Sequence, residues 1–482
     1  MKSDLVLVYP PFSVEERYAR KVGRNIGGDL PPLGIASLAA YVREKGWSVD
    51  VIDSIALGLS ADDVVRRIVE AEARVVGFSA LTGNFARAVF CAKKVRETCP
   101  DVLIAVGGHH ATIMPLEVLR ENTSIDLTVV GEGEATLLDI LERFKSTGFD
   151  RERFLAGDGE VSNIRGVGIR SGGAPVLTEK RPFITDLDAL PFPARDLLPV
   201  KSYIPLPNQY LRRPVVHMTA IRGCPFACSF CSNNAVFGRK IRSRSPRRTV
   251  DEIEHVTGEY GAREISFWDD TMTVRREWMM DFCREIVERN LDVTWTGYAR
   301  ADTVDPEMLK TMKQAGCWNL FYGFEAGDQR LLDNINKKTT LETMRSAAKW
   351  THEAGIEVRG SFMLALPGET PELARKTIDF AIELDCDYAQ FCITTPYPGT
   401  RLWSEAPRYG KLRKDFNDYH CWSPVFLPSG YDGESEVLAM ERLAARRFYL
   451  RPRFVLKCLG KIRSVEDALR YVKGFRMLLG FI

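Results

Sequence analysis

Between Val215 and Thr395, six short β-rich apolar runs alternate with amphipathic stretches, and this alternation restricts the fold of the 482 residues more than any other feature. The runs cover 215–221, 264–269, 293–298, 319–324, 358–366 and 388–395. Segments of helical period lie between them at 275–290, 305–315, 341–354 and 371–385, several opened by Pro or an N-capping residue. Repeated βα units specify a parallel sheet, here a partial barrel with its chemistry at the C-terminal ends of the strands. The N-terminal third alternates in the same way, with strands at 5–9, 49–53, 75–81, 103–107 and 127–130 and helices near 32–45, 61–73, 84–98 and 134–146. That pattern predicts an α/β doubly wound, Rossmann-like sheet with a binding crevice at its strand ends. Gly131-x-Gly133-x-x-Thr136 is no dinucleotide fingerprint, because it follows the last strand and lacks the third Gly.

The first barrel strand runs into Ile221-Arg222-Gly223-Cys224-Pro225-Phe226-Ala227-Cys228-Ser229-Phe230-Cys231, a C-x3-C-x2-C loop. Thiolates hold iron–sulfur clusters, and a cubane [4Fe–4S] normally takes four of them. Three leave one iron open to bind and reduce something else. Structural zinc wants four closed ligands, usually as two separated pairs. Neither a second pair nor a nearby His completes this set, since His217 falls within the strand. A redox C-x-x-C has no use for Cys224. Cluster, zinc and thiol couple are the competing assignments, and the spacing favours the cluster.

C-x3-C-x-aromatic-C, with Phe230 as the aromatic, resembles the signature of radical S-adenosylmethionine (SAM) enzymes, which carry it after the first strand of an incomplete (βα)6 barrel. The resemblance implies a [4Fe–4S] cluster on Cys224, Cys228 and Cys231. It further implies SAM chelated to the open iron and cleaved by one electron to a 5′-deoxyadenosyl radical, which abstracts hydrogen from an unactivated carbon. SAM contacts are then expected from Phe230 near the adenine, Asp269 or Asp270 on the methionine amino group, Arg300 after the third strand, and Glu325 on the ribose hydroxyls. The 364–369 turn, at Leu366, would meet the adenine edge. Carboxylates facing cations and hydroxyls suit such contacts. An external electron donor of flavodoxin or ferredoxin type is implied as well.

The N-terminal domain is similar to cobalamin-binding domains, whose pattern is D-x-H-x-x-G, then S-x-L, then G-G. Ser79-Ala80-Leu81 ends the third strand and Gly107-Gly108 the fourth. Gly108, without a Cβ, would let a nucleotide tail lie against the backbone, and Ser79 would offer it a hydroxyl. The implied contacts extend to Tyr9, Pro10, Leu81, His109, Gly131, Glu132 and Gly133. The D-x-H-x-x-G element is missing: Tyr9-Pro10-Pro11-Phe12 follows the first strand, and no axial His is offered before Gly34. This departure, with Pro31-Pro32-Leu33-Gly34, resembles the cobalamin-dependent radical SAM subgroup that includes the anaerobic magnesium-protoporphyrin ester cyclase. The resemblance to the wider group implies C-methylation through methylcobalamin, while the resemblance to the cyclase subgroup implies the alternative, radical oxidative cyclisation or rearrangement of a lipid or tetrapyrrole. A non-catalytic cobalamin or redox sensor would carry an output module, and no such pattern follows residue 430.

The expected organisation is a cobalamin-binding domain at 1–148, a connector at 149–209, a radical SAM core at 210–430 and a basic helical tail at 431–482. A formal charge of +2 gives no nucleic-acid signal. Eleven cysteines without paired spacing indicate a reducing, cytoplasmic compartment. Cys317 and Cys392 lie in or at barrel strands, where core packing is their expected role. Between residues 441 and 482, Arg442, Arg446, Arg447, Arg451, Arg453, Lys457, Lys461, Arg463, Arg470, Lys473 and Arg476 face only Glu441, Glu466 and Asp467 within the segment. The chain then ends on the apolar run from Met477 to Ile482. Such a segment either lies on an anionic membrane surface, which would favour a lipid, isoprenoid or tetrapyrrole substrate, or docks on the barrel with a solvated basic face. No run reaches the ~20 apolar residues of a membrane span.

Overall fold

The computed structural model describes residues 2–12, 16, 28–156 and 160–480. The stretch before Gly28 in which the D-x-H-x-x-G element is missing lies largely outside the described residues, as do Phe481 and Ile482. The first sheet opens with β1 (Leu5–Tyr9), β2 (Val49–Asp53), β3 (Val75–Ser79), β4 (Leu103–Gly107) and β5 (Leu127–Val129). They run in parallel in the spatial order β2-β1-β3-β4-β5. Alternate residues of β1 serve opposite faces: Leu5 and Leu7 pack under the helices Leu33–Glu44 and Glu134–Ser146, Val6 and Val8 under Ala61–Glu70 and Phe85–Thr98. Both faces are buried, as a doubly wound sheet requires. The sheet does not stop at residue 148. β6 (Val167–Ser171) and β7 (Ala174–Leu177), within the stretch expected to be a connector, extend it by two antiparallel strands.

A short β8 (Val215–Met218) begins the second sheet. The apolar run expected to continue it to residue 221 breaks there. Ile221 and Arg222 form β9 (Ile221–Arg222), paired antiparallel with β10 (Arg242–Ser243), so the two ends of the cysteine segment are tied together. The barrel continues with β11 (Glu264–Phe267), β12 (Thr294–Ala299), β13 (Cys317–Glu325), β14 (Glu357–Leu364) and β15 (Tyr388–Ile393). All six strands are parallel, in the order β8-β11-β12-β13-β14-β15. The helix starts follow local chemistry. Ser245, Asp305, Thr340 and Thr370 each accept a backbone N–H in the first turn, and Pro246, Pro306 and Pro371 occupy positions where no N–H is needed. One continuous core, with Phe267, Phe282, Trp295, Phe324 and Phe362 at its centre, fixes barrel to helices.

The C-terminal helices Glu434–Tyr449, Pro452–Gly460 and Val465–Leu479 dock on the barrel. Part of their basic face is turned to the barrel, while Arg442, Arg453, Arg463, Lys473 and Arg476 stay exposed. Lys457 and Lys461 reach Asp387 at 2.9 and 2.8 Å, Lys461 reaches Glu357 at 2.6 Å, and Arg447 pairs with Asp379 at 2.7 Å. Arg470 is buried and donates to the Tyr210 carbonyl at 2.6 Å. Apolar side chains are left outside: Leu456, Leu459, Val465, Leu469, Val472 and Phe475 are exposed. No helix among the described residues is long and apolar enough to cross a membrane.

Asp387 anchors this docking. Buried at the start of β15, it also accepts from the Val358 N–H and from His352, and these partners hold its carboxyl well below the ordinary range against the cost of burial. Asp387→Ala removes the shared partner of two part-exposed lysines, of which Lys461 keeps Glu357; a fully buried broken pair costs ~3–5 kcal/mol, and with this exposure the loss is about 2 kcal/mol. We expect that loss in equilibrium unfolding at pH 7. Because the folded pKa is depressed, the contribution of Asp387 is fully present above the unfolded carboxyl pKa of about 4 and disappears as pH falls below it. The wild type minus Asp387→Ala difference should therefore shrink in acid.

Candidate functional site

The C-terminal ends of the barrel strands surround a cavity of about 330 Å³, and Cys224, Cys228 and Cys231 line it together. Gly223, just before the first cysteine, takes φ +89°, and a Cβ there would stand 2.5 Å from the Lys240 carbonyl oxygen. Only glycine lets the loop turn this tightly. Asp269, expected at the mouth, does not face the cavity. It is buried behind the loop, and one carboxylate oxygen accepts the Ala220 and Ile221 N–H groups at 2.7 Å each. Burial pushes it up to about 7, and its second oxygen has no partner. Asp269 thus shapes the approach to the cysteines, whereas its neighbour Asp270 lines the cavity and accepts from Asn233 at 2.6 Å.

Arg300 lines the same cavity. Its guanidinium lies 3.6 Å from the Cys228 sulfur, stacks 3.6 Å from the Phe226 ring centroid, pairs with Asp302 and donates to the Lys337 carbonyl at 2.9 Å. It places a fixed positive charge beside the thiols. Burial, helped by the neighbouring Asp270 and Cys228, pushes the Cys224 and Cys231 thiols up, Cys231 to about 12. Three soft donors from one loop, lining one cavity beside a cation, fit a cluster with three thiolate ligands. Among the described residues no three His, Cys, Asp or Glu side chains converge as a single ion would require.

Opposite the loop stands Glu325. A register shift in β13 between Gly323 and Glu325 turns the strand end, and Glu325 sits in left-handed backbone at φ +65°. Such strain at a strand end persists where surrounding contacts enforce it. Here Lys337 enforces it, with Nζ 2.6 Å from Glu325 Oε1 and both side chains buried. A Cβ on Gly323 would lie 2.5 Å from that oxygen, so the glycine makes room for the pair. Lys337 also stands 5.9 Å from the Phe230 ring centroid. No local sequence pattern marked Lys337; a β-strand bulge and a loop with Asn336 and Lys338 in left-handed backbone bring it in. Tyr298, Phe321, Ser361 and Met363 complete the walls, with Cys392 and Cys421, which hydrogen-bond to each other. Cys392 therefore reaches the cavity, whereas Cys317 is buried away from it. Leu366 is also fully buried and absent from the cavity wall; the turn holds its shape through buried Glu369, which accepts from Ala365 N–H and Tyr431.

The strand ends of the first sheet face this same side of the barrel. Ser79 and Tyr9 are half-buried, Leu81 is exposed, and nothing lies within 4 Å of a Cβ built on Gly131. These loops present an accessible rim that suits a large ligand laid across the strand ends. Gly108 has another reason for lacking a side chain: with φ +90°, its Cβ would meet the Ala80 carbonyl at 2.8 Å and the Ser79 hydroxyl at 3.1 Å. It closes its own turn against the neighbouring one. Gly107 and Pro10 stand at the same strand ends, and Gly133 packs on Leu38. Glu132 is committed elsewhere, accepting from Arg222 at 2.8 Å, Arg242 at 2.6 Å and the Ile184 N–H at 2.7 Å. Arg222 also holds Glu134 at 2.6 Å. The base of the cysteine loop is thereby clamped to the first domain. His110 is locked between Phe85 and Phe416 and kept neutral by burial, down to about 4; His109 remains half-buried near Phe237.

Comparison with known proteins agrees with this geometry. The B12 binding domain family matches residues 19–141 and the radical SAM superfamily residues 218–381. The uncharacterized methyltransferase PH0819 of Pyrococcus horikoshii is 34% identical over 458 residues, covering 94% of each chain. The anaerobic magnesium-protoporphyrin IX monomethyl ester cyclase of Rubrivivax gelatinosus is 31% identical over 437 residues, 90% of this chain and 76% of that one. The fold is shared with the radical SAM methyltransferase TsrM of Kitasatospora setae (TM-score 0.66, 19% identity, 85% of this chain and 75% of that one). It is shared also with the cobalamin-dependent SAM radical enzyme OxsB (TM-score 0.73, 15% identity, 99% and 72%). A cobalamin-binding sheet joined to a radical SAM barrel, matched along almost the whole chain, makes this protein a member of the cobalamin-dependent radical SAM enzymes, with a [4Fe–4S] cluster, SAM and cobalamin as its cofactors.

Proposed function

We propose that the chain is a C-methyltransferase acting on an unactivated carbon of a small molecule, with its cluster on Cys224, Cys228 and Cys231. The observation that carries this is the single cavity in which the three thiols face Asp270, Arg300, Glu325 and Lys337, next to the strand ends of the first domain. When bound, the cluster and SAM supply a 5′-deoxyadenosyl radical and cobalamin supplies a transferable methyl group. Asp270 offers carboxylate oxygens to an ammonium. Glu325, with one oxygen on Lys337, has the other free to accept from hydroxyls. Arg300 offsets negative charge at the thiolates. Phe226, Phe230, Phe321 and Met363 keep the space apolar and exclude water from a reactive carbon. On the first domain, Ser79, Leu81, His109 and the glycine turns would hold cobalamin, while the Arg222–Glu132 clamp fixes the distance between the two cofactor sites.

Methyl transfer is favoured over cyclisation by the relative that this chain matches along 94% of both lengths, which is named a methyltransferase. Cyclases match at 31% identity and keep ring closure as the second outcome. Anaerobic turnover with methyl-labelled SAM in a cell extract separates them. Methyl transfer gives labelled product with S-adenosylhomocysteine and 5′-deoxyadenosine in equal amounts; 5′-deoxyadenosine without S-adenosylhomocysteine overturns it. Reduction by a flavodoxin or ferredoxin is proposed alongside.

We also propose a cytoplasmic protein whose tail rests on anionic lipid. The exposed side chains of Leu456, Leu459, Val465, Leu469, Val472 and Phe475 lie beside exposed Arg463, Lys473 and Arg476, the combination that binds an interfacial helix to acidic headgroups. The full chain should sediment with vesicles containing phosphatidylglycerol, and Leu456→Asp/Leu469→Asp should abolish it. Sedimentation unaffected by that variant contradicts the assignment.

A further inference from the structure

The segment that lies against the cysteine loop is strongly basic. Residues 238–248 include six arginines and lysines and no acid. Arg242 and Arg244 are buried and answered by Glu132 and Glu252. Arg239 and Lys240 are exposed, and neither has an acid partner among the described residues. Their backbone packs on the start of the loop. The Gly238 carbonyl accepts the Cys224 N–H at 3.4 Å, and the Lys240 carbonyl stands where a Gly223 side chain would be. The Arg239 guanidinium donates to the Pro225 carbonyl at 3.0 Å. Lys180 joins them from the preceding segment. Its Nζ lies 5.5 Å from the Phe183 ring centroid, and the same ring packs on Gly238, leaving no room for a Cβ there. Lys180 is exposed too, and its neighbour Glu179 is taken by Arg165 at 3.0 Å.

The loop has two sides. Cys224, Phe226 and Cys228 line the cavity, whereas Pro225 and Ala227, which alternate with them, do not line it and are part-exposed. The cavity side is the place for SAM and substrate. An electron delivered while they are bound has its short route from the other side, across Pro225, and that is the side Arg239 touches. Exposed cations without acids attract a negatively charged protein over roughly a Debye length, ~10 Å at 0.1 M salt. Such charges raise the rate of encounter and fix the orientation of the partner.

We infer that Lys180, Arg239 and Lys240 form the docking surface of an acidic one-electron carrier protein, seated against the outer side of the cysteine loop. In each encounter the carrier is oxidised by one electron and the cluster is reduced by one. This rests on the proposal that the three cysteines hold the cluster, and it adds where the reductant docks and the sign of its charge.

The test is calorimetric titration of the anaerobic holoprotein with oxidised carrier, an acidic flavodoxin in one arm and an acidic ferredoxin in the other. Wild type is compared with Lys180→Glu/Lys240→Glu, with Lys180→Arg/Lys240→Arg, and with Lys310→Glu/Lys349→Glu, which makes the same change of charge at exposed positions on two barrel helices. Wild type should bind at least one carrier, less tightly as salt rises. Lys180→Glu/Lys240→Glu should weaken that binding roughly 10-fold or more at low salt, and the other two variants should bind like wild type. Formation of 5′-deoxyadenosine driven by the pre-reduced carrier should slow in the same variant, while formation driven by dithionite should equal wild type. A wild type that binds neither carrier overturns the inference. So does an equal loss in Lys310→Glu/Lys349→Glu, which reports net charge alone, or an equal loss with dithionite, which reports damage to the cluster site. Absence of dithionite-driven cleavage in the wild type, beside salt-sensitive carrier binding that Lys180→Glu/Lys240→Glu loses, removes the enzymatic proposal and leaves the docking surface standing.

Discussion

Cys224→Ala, Cys228→Ala and Cys231→Ala are each expected to reduce 5′-deoxyadenosine formation to background, the largest effect any single side chain here can have. A cubane held by three thiolates loses a third of its protein ligands with each change, and two ligands cannot keep it in place. Bound iron should fall from roughly four atoms per chain to a small residue. The fold should survive, because the three cysteines line a cavity wall and none belongs to the buried core. Circular dichroism and the melting temperature of the apo forms should match wild type closely. A variant that retains iron and activity would remove that cysteine from the ligand set.

Glu325→Gln is expected to have the next largest effect. The substitution keeps the volume but removes the charge that answers Lys337, whose amine is buried 2.6 Å away. Removing one member of a buried hydrogen-bonded ion pair costs ~2–5 kcal/mol. Apart from that cost in stability, each charge-assisted hydrogen bond that Glu325 is proposed to make to a SAM hydroxyl is worth ~1.5–3 kcal/mol, so at 1.4 kcal/mol per factor of ten the expected loss in kcat/KM for SAM cleavage is roughly 10-fold or more. It should appear mainly in the KM for SAM, with iron content unchanged. The double variant Glu325→Gln/Lys337→Met should recover stability relative to Glu325→Gln, because no buried charge is then left alone. A Glu325→Gln protein with unaltered KM would mean that this carboxylate only supports the left-handed strand end.

Much of the fold could be read directly from the chain, because it depends on patterns that are local. The βα alternation, the N-capping Ser245, Asp305, Thr340 and Thr370, and the cysteine spacing each specify their element within a few residues. The five parallel strands of the first sheet and the six of the barrel lie where their apolar runs lie. β6 and β7 escaped notice because an antiparallel edge pair with Ala174–Leu177 largely exposed carries no buried-strand signal.

The site was legible only in part, for a different reason. Two adjacent acids at a strand end look alike in sequence, yet Asp269 turns inward to the Ala220 and Ile221 amides and Asp270 turns to the cavity. Strand periodicity fixes which face a residue takes but not what the following loop does. Lys337 and Cys421 enter from loops with no periodic pattern, and the partner of Glu325 therefore needed coordinates. The tail shows the same limit. Its basic and apolar residues were both visible, but the acids at 357, 379, 385 and 387 that capture part of the basic face lie far away in the chain.

The central claim is that three cysteines hold a [4Fe–4S] cluster whose fourth iron is free to take SAM. Low-temperature electron paramagnetic resonance of the dithionite-reduced holoprotein, with and without SAM, tests it most directly. The predicted result is a reduced-cluster signal whose g values shift when SAM is added, in proportion to bound SAM. A signal of full intensity that SAM leaves unchanged would contradict the open iron, and with it the assignment of the cavity as a radical-generating site.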